Sequence, residues 1–271
     1  MDQTTLQVYA VLFVFATVLL VYTARYFQRR GRQRPLRRMA AVERIGEWTN
    51  QSIEANRPLH LALGSTAVGE DRTAVALAEA EFFHHIIERA DASDVSPIIT
   101  TSAASSVPLG QDTVWRAWEG DAYLSRVQWY PPDIAYAAAV TAALKTDDPA
   151  AHVLAGGFGP ELALMLDSAD RRGQGSLAVS DRLEGQAVAY AMADECLIGE
   201  ELFAAAGYAT DDGRAQADAI VLDVWRALLI MGMTIVLMLE VAKRMPWLNW
   251  AVVLSVSAVL AVFGLIIYRR R

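Results

Sequence analysis

Between residues 59 and 209, short apolar runs alternate with stretches of helical period, and no other feature of the chain constrains its fold as tightly. The runs fall at 59–63, 97–101, 126–130, 152–155, 176–179 and 195–198. Helical patterns fill most of the gaps. Val75, Ala78, Phe82 and Ile86 share one face of a helix that Thr73 can start, and Asp112 can head a short helix carrying Trp115 and Trp118. Asp133 can cap a helix reaching Leu144, Pro160 suits the first turn of the next, and residues 183–192 form another. A helix ahead of the first run places Val42, Ile45, Trp48 and Ile53 at helical spacing and stops at Pro58, and one from Glu200 to Ala209 closes the series. Strands separated by helices of this length need crossover connections. The expectation is an α/β fold, a mostly parallel sheet of about six strands with helices on both faces, Rossmann-like or flavodoxin-like. The strand order is not legible.

Motif chemistry is sparse. The chain has no phosphate-binding loop with its lysine, no H-E-x-x-H, no G-x-S-x-G and no G-x-G-x-x-G. One stretch stands out: Gly156, Gly157 and Gly159, with Phe158 between them, lie where a strand should meet a helix. In a parallel sheet that turn sits at the carboxyl edge, where ligands bind, and backbone N–H groups at a helix start can hold an anion. Gly64, Ser65, Ser180 and Asp181 should line the same edge, together with residues 100–102 and with Glu200 and Glu201. No lysine or arginine is adjacent to the glycine turn in sequence, so tight packing competes with ligand binding as the reason for the glycines. His60 and His152 read as satisfied core histidines, and His84 and His85 point in different directions along a helix. Asp194, Glu195, Glu200 and Glu201 have no known metal-ligand spacing, so no metal is expected. Cys196 is the single cysteine and reads as a small apolar residue, which excludes an internal disulfide.

The flanks differ from this middle. Residues 6–27 form an apolar run with Arg25 near its end, long enough at about 1.5 Å per residue to cross a hydrocarbon core about 30 Å thick. The leader is acidic and no small-x-small site follows, so an uncleaved anchor over residues 1–28 is expected rather than a signal peptide. Arg25, Arg29, Arg30, Arg32, Arg34, Arg37 and Arg38 come next, partly in a linker at 29–40. Residues 219–268 read as a hairpin of two further spans, followed by Arg269, Arg270 and Arg271. Three transmembrane helices with both arginine groups at the membrane interface put the N-terminus outside, and the α/β domain (residues 41–212) and the C-terminus in the cytoplasm, at a bacterial inner membrane. Residues 41–217 carry 11 Lys/Arg against 27 Asp/Glu, a surface that disfavours nucleic acid.

The stretches 133–140 (DIAYAAAV) and 193–208 (ADECLIGEELFAAAGY), with the opening segment 41–64, resemble an uncharacterised bacterial family of membrane-anchored proteins defined as a domain of unknown function. The likeness covers roughly residues 40–210 and the preceding anchor. It implies a membrane tether and supplies no catalytic residue.

The function expected from these readings is a non-enzymatic scaffold or assembly subunit without a cofactor. It would associate with the lipid bilayer and with itself or other membrane subunits, and not with nucleic acid. The alternative is a signalling domain that takes a small anion or nucleotide at the Gly156–Gly159 turn.

Overall fold

The computed structural model describes residues 3–29, 39–118, 126–199, 201–209, 217, 220–221, 224–234 and 236. The chain forms two compact units, residues 1–38 with 212–271, and residues 39–211.

The second unit holds the sheet. Its elements run α2 (Ala40–Ala55), β1 (Leu59–Gly64), α3 (Thr73–Ala90), β2 (Ile98–Thr101), α4 (Val107–Ala117), β3 (Val127–Trp129), α5 (Ile134–Asp147), β4 (Ala151–Gly157), α6 (Leu162–Asp170), β5 (Gly175–Ser180), α7 (Leu183–Met192), β6 (Glu195–Cys196) and α8 (Glu201–Ala209). All six expected strands are present and every pairing is parallel. The order is β3-β2-β1-β4-β5-β6, the Rossmann-like arrangement, which resolves the choice left open by the sequence.

Side-chain alternation along the strands builds a core on each face of the sheet. Leu59, Leu61 and Leu63 of β1, with Val153 and Ala155 of β4, pack under α2, α3, α4 and α8 through Ile45, Trp48, Phe82, Phe83, Val114 and Leu202. The alternate residues, including Ala62 and Leu154, pack under α5, α6 and α7 through Tyr136, Val140, Leu144, Leu162 and Leu166. β1 and β4 are buried along their whole length, as central strands covered on both faces must be.

Some local expectations change. The stretch after β2 is more regular than its small polar residues suggest: a 3-10 turn (Ala104–Ser106) leads into α4. Asp112 therefore lies inside a helix and pairs with Arg116 at i,i+4 instead of capping. Asp133 stands before α5 at φ 61° with no capping hydrogen bond from its side chain. The Thr73 hydroxyl ties the start of α3 by accepting from Gly69 N–H (2.8 Å) and donating to the Glu70 carbonyl (2.7 Å).

In the first unit, α1 (Gln3–Arg29) is a 27-residue helix, and the Phe13 ring lies 4.5 Å from the ring of Trp225. Among the described residues no helix is long and apolar enough to cross a membrane. This overturns the three transmembrane helices and the multi-pass inner-membrane localisation read from the sequence. That reading rested on the length and hydropathy of the apolar runs in the sequence. Residues 224–234 are helical, and residues 237–271 lie outside the described residues. So do Arg30, Arg32, Arg34, Arg37, Arg38, Arg269, Arg270 and Arg271; Arg25 and Arg29 fall on the last turns of α1.

Candidate functional site

Strand order reverses between β1 and β4: the chain winds from β1 towards β3 on one side and from β4 towards β6 on the other. The connections leaving the carboxyl ends of β1 and β4 therefore go to opposite faces, and in open α/β sheets ligands bind in the crevice this leaves. The turns singled out in the sequence meet there. Gly64 takes φ 58° at the end of β1, a left-handed conformation that favours glycine. Ser65 donates to the Gly157 carbonyl from both its backbone N–H (3.0 Å) and its hydroxyl (2.6 Å). Ser102, just past β2, donates to the Gly64 carbonyl in the same two ways, at 2.8 and 3.0 Å. Ser180 accepts from Phe158 N–H (3.2 Å) and donates back to the Phe158 carbonyl (2.8 Å), while Asp181 N–H lies 3.3 Å from the Gly156 carbonyl. Glu201 begins α8, and Glu200 lies outside the described residues.

Two arginines attend this turn, although neither is close to it in sequence. Arg72, from the β1–α3 connection, pairs with Asp181 at 3.1 Å. A Cβ placed on Gly157 would lie 3.0 Å from Arg72 Nη1 and 2.7 Å from Ser65 Oγ, and one on Gly159 would lie 3.3 Å from Arg182 Nη1. The missing side chains are what let serine and guanidinium groups approach the backbone. Burial raises the Asp181 carboxyl above its ordinary range, with Arg72 and Arg182 pulling it back. The Gly159 N–H donates to the Glu161 carboxylate at 2.6 Å, so the start of α6 already holds an anion, one supplied by the chain itself.

A second polar feature crosses the sheet behind the crevice. His60 and His152 are register partners on β1 and β4, and their Nδ1 atoms lie 3.0 Å apart. His152 Nε2 meets Gln174 Oε1 at 2.9 Å, and Gln174 Nε2 donates to Asp148 Oδ1 at 3.0 Å. On the other side His60 Nε2 meets Thr100 Oγ1 at 2.8 Å, and Thr100 Oγ1 meets the Tyr136 hydroxyl at 2.7 Å. The protons can be placed by elimination. Asp148 only accepts and also takes Arg57 at 2.8 Å, so Gln174 must present its amide NH₂ to it and its oxygen to His152. His152 then carries Nε2–H, leaving Nδ1 to accept from His60 Nδ1–H. His60 Nε2 accepts from Thr100, which accepts from Tyr136. Every contact is satisfied with both imidazoles neutral. Burial, and for His60 also the neighbouring His152, pushes His60 well below the usual histidine range, while burial lowers His152 to about 4. Burial raises the Tyr136 hydroxyl, with its hydrogen bond to Thr100 opposing.

The sequence identified both as core histidines and missed that they meet, 92 residues apart. A signal was present: each is the second residue of a strand that ends in glycine. Only the adjacency of β1 and β4 makes that likeness a contact. His84 and His85 share α3 without a common target, and among the described residues no group of three or more potential ligands could hold a metal ion. Cys196 is half-buried, with Gln186 Nε2 3.1 Å from its sulfur.

A family described as a domain of unknown function (DUF6754) matches residues 1–250. The chain belongs to the DUF6754 family. The match covers residues 40–210 and the preceding segment, which carry the resemblance, and runs on past the α/β unit to residue 250. No curated protein and no solved structure matches this DUF6754 chain.

Proposed function

We propose that the α/β unit binds a small phosphorylated or otherwise anionic ligand in the crevice between β1 and β4. The carrying observation is that Arg72 and Arg182 converge on the glycine turn at the strand-order reversal. This is preferred to the scaffold reading because that reading rested largely on tethering at both ends, and no described helix is long and apolar enough to cross a membrane. The ligand class is a mononucleotide or sugar phosphate rather than a dinucleotide. Dinucleotide sites keep an acidic residue past the second strand for the ribose hydroxyls. Here that place holds Thr101 and Ser102, and Ser102 is engaged with Gly64.

Thermal denaturation with inorganic phosphate, mononucleotides and sugar phosphates tests this. A ligand at a hundred times its Kd should stabilise the protein by about 2.7 kcal/mol. Arg182→Ala should weaken that ligand between about tenfold and a hundredfold, the worth of a charge-assisted hydrogen bond. If none of these compounds stabilises the wild-type protein, the proposal fails.

Glu161 supplies a sharper variant. Its carboxylate occupies the N–H that an incoming anion would use, so Glu161→Ala should strengthen phosphate binding by about tenfold. An isothermal titration in which the variant bound phosphate no better than wild type would remove Glu161 as an internal competitor.

A further inference from the structure

Glu79 of α3 is fully buried beneath the β1–α3 turn. Its Oε2 lies 2.7 Å from Thr66 Oγ1, and Thr66 Oγ1 makes a second short contact with the Leu63 carbonyl. Three oxygens in a row make two contacts and need two protons. The threonine hydroxyl supplies one, the carbonyl none and an ionised carboxylate none. With Glu79 ionised, one of the two contacts would be a bare oxygen–oxygen approach in a dry environment, which a buried site does not tolerate. With Glu79 protonated, its carboxyl donates to Thr66, Thr66 donates to Leu63, and both contacts are hydrogen bonds. Glu79 Oε1 has no hydrogen-bond partner, a far smaller penalty for a neutral acid than for an anion.

This acid stands close to the ligand crevice. The Leu63 carbonyl that ends its hydrogen-bond chain lies against Gly156: a Cβ there would be 2.2 Å from that oxygen and 3.0 Å from Thr66 Oγ1. The charged and titratable groups acting on Glu79 are Arg72 at the start of α3, Asp181 from the β5–α7 connection and Tyr136 from α5. Arg72 and Asp181 are the pair at the glycine turn. Burial holds the Glu79 carboxyl well above the ordinary carboxylate range, with the Thr66 hydrogen bond opposing it.

We propose that Glu79 makes anion binding in the crevice proton-linked: the site takes its ligand with Glu79 protonated, and ionisation of Glu79 expels the ligand. The proposal rests on the crevice being an anion site. Ionisation places a negative charge behind the glycine turn and removes the proton that joins Thr66 to Glu79. Both changes act against a bound anion.

Sulfate is the probe, because it does not titrate in the range of interest. Its affinity for the full chain is measured by calorimetry between about pH 5 and pH 9. Wild type should lose affinity by up to about tenfold per pH unit once Glu79 ionises, while Glu79→Gln, whose amide still donates to Thr66, should keep the low-pH affinity throughout. Superimposable profiles for the two proteins would overturn the linkage. A ligand-free measurement separates this from failure of the site itself. A carboxyl raised in the folded state contributes stability that is complete below its unfolded value of about 4.5 and is lost as pH rises through its folded value. Denaturation midpoints of wild type should therefore fall relative to Glu79→Gln as pH rises, and parallel midpoints would mean that Glu79 holds no proton. Divergent midpoints with no sulfate binding at any pH would overturn the linkage through loss of the anion site, leaving the protonated acid standing.

Discussion

Gly156→Ala should destabilise the α/β unit by about 3 kcal/mol or more, lowering its melting temperature by on the order of 10 °C. Gly156 has φ 153°, a backbone that L side chains rarely adopt, and a Cβ there would sit 2.2 Å from the Leu63 carbonyl oxygen and 2.6 Å from its carbon. Neither neighbour is a side chain that can swing aside. Relief would require β1 and β4 to separate at their carboxyl ends, breaking the two Ser65 hydrogen bonds to Gly157. Gly157→Ala is the informative contrast. Its nearest neighbours are the Ser65 hydroxyl and the end of the Arg72 side chain, so its cost should be smaller and should appear first as weakened anion binding. Urea denaturation of both variants decides the matter. Equal midpoints for Gly156→Ala and wild type would show that the close approach of the two turns is not needed for the fold.

The second large effect is on the acid side of the stability curve and comes from the histidine pair. Both imidazoles are buried neutral, so their folded values lie below the unfolded value of 6.5. The unfolded chain therefore binds more protons, and their contribution to stability is complete above about pH 6.5 and is lost as pH falls towards the folded values. For His152, at about 4, the loss across that interval is about 3 kcal/mol, and His60 adds a loss of the same sign. Glu79 acts in the opposite direction, so the experiment is cleanest in Glu79→Gln, with denaturation midpoints followed from pH 7 to pH 4. Nitrogen-15 spectra of the imidazoles give an independent reading: His60 should carry its proton on Nδ1 and His152 on Nε2. A midpoint that stays level over this range, or a doubly protonated His152 at pH 6, would contradict the neutral chain from Gln174 to Tyr136.

How much of the site the sequence revealed depends on distance along the chain. The turn at Gly156, Gly157 and Gly159 was legible because glycines between a strand and a helix are a local signal, as were Gly64 and Ser65 after β1. Arg72 and Arg182 were not legible as site residues. They belong to other connections, and their guanidinium groups reach the turn only because β1, β4 and β5 stand side by side. Glu79 was hidden for a different reason. A carboxylate on a helix is usually solvated; spacing does set Glu79 on the face of Val75, Phe82 and Ile86, with the exposed Glu81 off it, but it does not show the Thr66 hydroxyl that meets the buried acid. The apolar flanks misled in the opposite sense, since a run of apolar letters measures hydropathy and not a membrane crossing.

Period and punctuation alone determined the six strands, the intervening helices and the parallel character of the sheet. Each depends on side-chain alternation and turn chemistry within about fifteen residues. Tertiary structure alone decided the strand order, and with it the reversal between β1 and β4, the meeting of His60 with His152, and the convergence of two arginines and a buried acid on one glycine turn. Hydrophobic patterning states that a strand is buried on both faces and says nothing about which strand lies beside it. Neighbours are selected by crossover handedness and by how the two cores pack, and the crevice exists only once those neighbours are set.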